Sequence, residues 1–426
     1  MVVAPLDDGR EGDLRALLAS MNDQRGVVDA QNPVVPFGQF DRLHFARFVI
    51  LRDETLDDIT TYGLPRPNGT PLLAFLGDCD GPADAFLQDL SGRADGGLRR
   101  IFSHCRGFTS NCDLLRWMKE RECPPSANYI NWLGRTVRQI REEEALRQAL
   151  ETFLDDNRTT LAGQEPAEIR QRLREFVGAE RWAGRLTLTE AAPTPSDWTL
   201  RNALHLVGVP LLLLALAPAL LLYAPIFLWQ LRRRERTDPE IVPRPSVDHT
   251  RRLADLEDHD VTNQFSAIGT VKPGRLRRWT LVLMFLVLNY AARHIFNHGF
   301  LTRVNTIHFA RWVFLDEKQR MFFASNYDGS LDSYMDDFIN KVGWGLNVVF
   351  SNGVGYPRTD WLMLGGAKDE QKFKHFLRRH QLPTEVWYNA HPGLTAVDLE
   401  RNTHIRRGIE QPHMTEAEAR DWLALL

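Results

Sequence analysis

The run LHFARFVIL at residues 43–51 returns, almost letter for letter, as IHFARWVFL at residues 307–315. Both runs are rich in aromatic and β-branched residues and alternate, as a strand does. Alternation groups His44 with Ala46, Phe48 and Ile50, and His308 with Ala310, Trp312 and Phe314, and it sets Arg47 and Arg311 on the opposite face. Downstream the match continues in order. Asp80 and Gly81 return as Asp328 and Gly329, Asp84 as Asp332, Phe86 as Tyr334, and Asp89 as Asp337. Gly97 and Leu98 return as Gly345 and Leu346, Phe102 and Ser103 as Phe350 and Ser351, and Gly107 as Gly355. With a small shift, Asn131 meets Asn389, Gly134 meets Gly393 and Thr136 meets Thr395. An ordered series of this kind makes the sequence an internal duplication.

Each copy reads as α+β. Second strands at 71–76 and 320–324 run into the Asp-Gly corners, and helices follow at about 82–92 and 330–340. Further strands are expected near 98–103 and 346–351, helices near 113–121 and 369–380, and last strands at 127–132 and 384–390. Two four-stranded antiparallel sheets with helices on one face make a pair of ferredoxin-like units. Packing the sheets face to face as an α/β barrel would bury both open faces. The expected organisation is an N-terminal extension at 1–37, a first ferredoxin-like unit with a trailing helix at 38–160 and a helical connector at 161–202. A membrane hairpin with its basic and acidic linker follows at 203–300, then a second ferredoxin-like unit with C-terminal helices at 301–426. Within that linker, 237–278 reads as irregular, with an acidic cluster from Asp255 to Asp260.

Between the copies lies LVGVPLLLLALAPALLLYAPIFLWQ, residues 206–230, which carries no charge. At about 1.5 Å per residue it is long enough to cross a hydrocarbon core of about 30 Å. Pro210, Pro218 and Pro225 recur at two-turn spacing and bend such a helix. A shorter apolar segment runs from Trp279 to Phe296 and carries Asn289, Arg293 and His294 near its end. Arg232, Arg233, Arg234 and Arg236, then Lys272, Arg275, Arg277 and Arg278, flank the two segments, and the positive-inside rule places that connection in the cytoplasm. The acidic N-terminus lacks an apolar leader, and the four cysteines show no C-x-x-C pair, so a reducing compartment is expected and zinc is not. A proline-bent hairpin dipping into one leaflet reconciles these signals better than two full spans. The bulk of the chain then faces the cytoplasm, with the lipid bilayer as partner.

The 426 residues are 43% hydrophobic, 25% charged and 10% aromatic, which excludes disordered and collagen-like classes. A net charge of -3 gives no global basic field, so nucleic acid is not an expected partner. A homo-oligomer remains open. The serine-hydrolase elbow, the P-loop, the zincin motif and a complete dinucleotide fingerprint are missing. Three features carry possible chemistry. Asp80 and Asp328 end strands beside helix N-termini, where each serves as an acid or base, or only as a turn and cap. His44 and His308 face a shared barrel, or sit as hydrogen-bonded core histidines. His404, in NTHIRRGI at 402–409, breaks the repeat because its counterpart is Ala145; it is a potential metal ligand, or a surface histidine at a basic helix end.

Paired ferredoxin-like units, an aspartate in a G-x-x-D-G corner and a later His-Ile-Arg resemble the dye-decolourising peroxidase superfamily of α/β-barrel proteins. The resemblance covers about residues 300–410. It implies haem in the C-terminal copy, with His404 as the metal ligand, Asp328 as the proton relay for peroxide, and Arg406 or Arg407 on the propionates or as the distal arginine. His308 and Asn326 complete the expected cofactor-binding set. Ser325 replaces the first glycine of the corner, and the membrane insertion is foreign to the family. The expected function is a membrane-associated, haem-dependent, peroxidase-like oxidoreductase acting on a hydrophobic small molecule. The alternatives are a haem-free lipid-processing enzyme using Asp80 and Asp328, and a non-enzymatic membrane-anchored ligand-binding module.

Overall fold

A computed structural model describes residues 1–296 and 304–426, so the expected boundary at 300/301 lies outside the described residues. The chain is mixed helix and antiparallel sheet and divides into two compact units. The first comprises Met1–Leu133 with Thr194–Ala390, the second Gly134–Pro193 with His391–Leu426.

Eight strands make the two large sheets of the first unit: β1 (Val2–Pro5), β2 (Leu43–Leu51), β3 (Leu72–Cys79), β4 (Ala127–Ile130), β5 (Thr262–Thr270), β6 (Ile307–Leu315), β7 (Arg320–Asp328) and β8 (Thr384–Asn389). They form two antiparallel sheets in the orders β1-β3-β2-β8 and β5-β7-β6-β4. Two edge strands contradict the sequence reading. β1 lies within the extension expected at 1–37, and β5 lies inside the linker expected to be irregular at 237–278. β5 reads TNQFSAIGT and looks polar, yet its polar side chains are buried, and most of them are bonded. Asn263 donates to Gly329 O at 3.0 Å and Gln264 to Leu256 O at 3.1 Å, so burial costs them little.

The last strands are exchanged. β4, from the first copy, pairs with β6 of the second; β8, from the second, pairs with β2 of the first. The residues leading into each stay with their own copy. Val3 N donates to Arg121 O at 3.0 Å and Cys123 N to Met1 O at 2.8 Å beside β1, and Leu382 N donates to Ser266 O at 2.7 Å beside β5. Each closing strand therefore starts on its own copy's first strand and finishes on the other sheet. The sequential units expected at 38–160 and 301–426 are interlocked instead.

Across the sheets, Val49, Leu51, Ala74 and Leu76 pack against Ile268, Val313, Phe322 and Ala324. Helices cover the outer faces, so every residue of β2 and of β7 is buried. The principal helices are α1 (Glu11–Ala19), α2 (Ala83–Arg93), α3 (Asp95–Phe102), α4 (Leu114–Lys119), α5 (Val137–Asp156), α6 (Pro166–Trp182), α7 (Ser196–Thr237), α8 (Arg275–His294), α9 (Leu331–Phe350), α10 (Glu370–His380), α11 (Ala396–Glu410) and α12 (Glu416–Leu423). The strands expected near 98–103 and 346–351 are helical, in α3 and the end of α9. Their buried residues, Leu98, Ile101 and Phe102, then Val342, Leu346, Val349 and Phe350, follow the helical period rather than alternation.

The apolar block is not a hairpin. α7 is one unbroken helix of 42 residues with Pro210, Pro218 and Pro225 inside it. It is long and apolar enough to cross a membrane, and its most apolar window, with a mean hydropathy of 2.5, is 0% buried. Isolated prolines remove single donors, which the rest of a long apolar helix tolerates. The second apolar segment belongs to the core: in α8, Leu281, Phe285 and Ala292 join the cluster over β6, with the Phe285 ring 5.0 Å from Phe314.

In the second unit α5, α6, α11 and α12 pack through Leu146, Leu150, Leu173, Val177, Ile405, Ile409 and Trp422. α5 and α11 both open with capping boxes, Thr136 with Gln139 and Thr395 with Asp398, at a pair of threonines matched in the repeat. A Cβ on Gly408 would stand 1.9 Å from Trp422 Nε1. Gly408→Ala is expected to destabilise this unit by about 1–3 kcal/mol, read by urea unfolding. The exchange predicts that residues 1–133 expressed alone show no cooperative melting transition, because β2 lacks β8 and β4 lacks β6.

Candidate functional site

The two HFAR runs do not alternate throughout. The register slips between Leu43 and Phe45 on β2 and between Ile307 and Phe309 on β6, which makes His44 and His308 the extra residues of two β-bulges. A bulge re-aims the side chain it carries. Arg47 and Arg311 also reach the facing sheet, so the bulges bring histidine and arginine to the same inner face. The expected separation onto opposite faces is thereby overturned. Phe45, on the first sheet, lies 5.5 Å edge-on to His308 of the second, and Phe309 lies 5.7 Å from His44.

Each re-aimed histidine meets its own copy's corner aspartate. His44 Nε2 is 2.9 Å from Asp80 Oδ1, and His308 Nε2 is 2.5 Å from Asp328 Oδ1. Asp328 also accepts the Thr262 hydroxyl at 2.9 Å. The pairs differ in burial. His308 is 0% exposed and walled by Phe45 and by Trp132, whose ring lies 4.9 Å away edge-on; the Asp80 side chain is 20% exposed. A carboxylate hydrogen-bonded to an imidazole fixes the ring's orientation, the arrangement of an acid/base pair. His308 and Asp328, expected from the sequence in separate roles, are joined by the tertiary structure.

Below the pairs lies a polar layer that was not expected from the sequence. Arg47 is wholly buried and donates to Phe265 O at 2.9 Å, Ser266 Oγ at 3.0 Å and Ser325 O at 3.1 Å, and to Asn326 Oδ1. Its guanidinium stacks 4.8 Å over Trp387. Arg311 donates to Gly77 O and pairs with Asp78, and Asn326 Nδ2 donates to Asp78 Oδ2 at 3.1 Å. Burial, then the neighbouring Arg311, pulls Arg47 down to about 9, and burial pulls Arg311 down to about 10. Both remain cations at neutral pH. Asn326, expected at a cofactor, instead links the two arginines through Asp78. The signal available in the sequence was the arginine that follows each histidine by three residues.

His404, Arg406 and Arg407 lie on α11 in the second compact unit. The His404 side chain is 52% exposed, with Glu400 Oε1 3.9 Å from its Nε2. Arg406 Nε donates to Glu410 at 2.8 Å and its Nη2 to Thr189 O at 2.6 Å, and Arg407 is exposed. An axial histidine has to project from a pocket wall toward iron, and its ring is held by a partner on the other nitrogen. A half-exposed ring beside a solvent-facing carboxylate does not fit that role. The residues present therefore do not fit a haem at His404, and no step is derived through one.

Asp78→Ala leaves the buried Arg311 without its carboxylate and is expected to cost about 3–5 kcal/mol. Asp78→Leu combined with Arg311→Met should recover most of that loss in the same urea titration. No family model matches the chain, and neither a curated protein nor a solved structure matches it.

Proposed function

We propose that the chain is a membrane-associated enzyme built on an α/β barrel of two ferredoxin-like copies. In this reading it works without haem and uses His308 and Asp328 to move a proton on an apolar substrate. The observation that carries the reading is the pairing of a bulge-aimed histidine with a corner aspartate in both copies, one pair fully buried among aromatic rings. The succession β1, α1, β2, β3, α2 to α4, β4, repeated as β5, α8, β6, β7, α9 and α10, β8, supports the ferredoxin-like part. The lead-in bonds from β4 to β1 and from β8 to β5 support closure of the sheets into a barrel.

Asp328 takes hydrogen bonds from the imidazole and from Thr262, so it holds the ring in one orientation. Phe45, Trp132 and Phe309 keep water from the pair and suit an apolar substrate. The uncovered flank of α7 supplies the attachment to the bilayer. The basic run after it supports a cytoplasmic position for the body. The peroxidase-like reading keeps the support of Asp328 at a strand end, whereas the exposed His404 counts against it.

The test is made on full-length protein extracted in detergent after growth with haem precursor. It combines an absorption scan with mass spectrometry of a lipid extract before and after incubation. The expected outcome is no Soret band and consumption of a lipid species that falls by about 10²–10⁴-fold in Asp328→Asn, with the melting temperature held. A stoichiometric Soret band lost in His404→Ala would return the protein to the haem reading. Lipid bound but not consumed by the wild type would leave a ligand-binding module.

A further inference from the structure

Both ends of α7 are fastened to the same compact unit. Near its start, Arg293 Nε donates to Asn202 Oδ1 at 2.6 Å, the His205 and His294 rings are 2.8 Å apart at Nδ1 and Nε2, and Tyr290 OH donates to Leu206 O at 3.2 Å. Near its end, Glu235 is 3% exposed and accepts from Arg232 Nη1, Thr359 Oγ1, Trp361 N and Leu362 N at 2.8–3.1 Å. One residue past the helix, Asp238 accepts from Arg277 at 2.7 Å. The start of α7 thus lies by the end of α8 and its end by the start of α8, so the two run antiparallel. α8 in turn packs on the second sheet through Leu281, Phe285 and Ala292.

A helix that crosses a bilayer puts its ends on opposite sides of about 30 Å of hydrocarbon. α7 cannot do so while both ends hold one folded body. Its middle nonetheless exposes Leu211, Leu212, Leu214, Leu216, Leu221 and Leu222, a continuous apolar surface far beyond what a soluble protein leaves bare.

A second apolar element adjoins its C-terminal anchor. The turn between Thr359–Asp360 and Leu364–Gly365 exposes Trp361, Met363 and Leu364 by 49–55%. Trp361 and Leu362 sit at φ 56° and 61°, a left-handed conformation that side chains of L residues disfavour. Glu235 holds the turn in that shape by accepting both of their N–H groups. Arg232 stacks 5.2 Å from Trp361 and Arg233 5.7 Å from Trp229, the pairing of cation and aromatic ring that suits a headgroup layer. Arg233, Arg236 and Arg275 are exposed at this end and complement anionic lipid.

We propose that α7 lies in the plane of a single leaflet of an anionic bilayer, with the Trp361–Leu364 turn inserted beside it and both helix ends on the same side. This rests on the membrane association proposed above and adds its geometry. The test uses the full chain reconstituted in phosphatidylcholine–phosphatidylserine vesicles, with a membrane-impermeant polyethylene-glycol maleimide added from outside and the wild type as the blank for its own cysteines. In a protein carrying both Asp197→Cys and Arg236→Cys, each molecule should gain two labels or none beyond the blank, whichever way it inserted. Leu214→Cys should be labelled only after detergent is added. One added label on every doubly substituted molecule would mean that α7 spans, overturning the in-plane geometry while leaving membrane association intact. Full labelling of Leu214→Cys in intact vesicles would overturn membrane association itself.

Discussion

The interlocking of the two sheets rests on main-chain hydrogen bonds made by strands that leave their own copy. β4 completes the edge beside β6 and β8 the edge beside β2, while the residues just before each remain bonded to β1 and β5. Unpaired edge strands expose rows of donors and acceptors, and here the exchange covers edges that either copy alone would leave open. It also holds the sheets face to face, so that Val49, Leu76, Val313 and Phe322 share one core. The burial of all nine residues of β2 follows from that packing, since its outer face is already under helices.

The same packing creates the polar interior. Facing sheets bring Arg47 within reach of the Phe265 and Ser325 carbonyls and Arg311 within reach of the Gly77 carbonyl and Asp78, each on the opposite sheet, and those acceptors make two buried cations tolerable. Replacing such a layer by apolar residues is often neutral for stability, so its retention points to specificity of sheet register or to function. Above it, the bulges at His44 and His308 give the fold a repeated His–Asp pair, and burial separates the copies chemically. His308 is enclosed by Phe45 and Trp132, whereas Asp80 is partly open. The two repeated runs supply matching positions, and the side chains around them differ.

α7 obeys a different constraint. Its composition suits lipid, yet Glu235 and Asn202 tie its two ends to a body that also contains α8 and the second sheet. The three prolines are compatible with this because the helix has only to run along the body, and the donors they remove are few. Glu235 does two things at once, fixing the helix end and holding a strained turn with its apolar tip outward.

The sequence by itself determined what depends on short range. The HFAR strands, the Asp-Gly corners, the apolar run of 206–230 and the matching threonine caps of α5 and α11 are all visible in periodicity and local residue choice. Where local signals are ambiguous the expected elements differ from those formed: the runs at 98–103 and 346–351 carry apolar spacing that serves a helix, and β5 hides its strand under polar residues, two of which bond partners 66 residues along the chain. Tertiary structure alone decided that β4 and β8 change sheets, that a one-residue slip sends His308 to Asp328, and that His404 stays at the surface of the second unit. The physical reason is common to all three. Which edge a strand joins, where a register slips and which face a helix buries are set by hydrogen bonds and packing with residues tens to hundreds of positions away, and local periodicity carries no record of them.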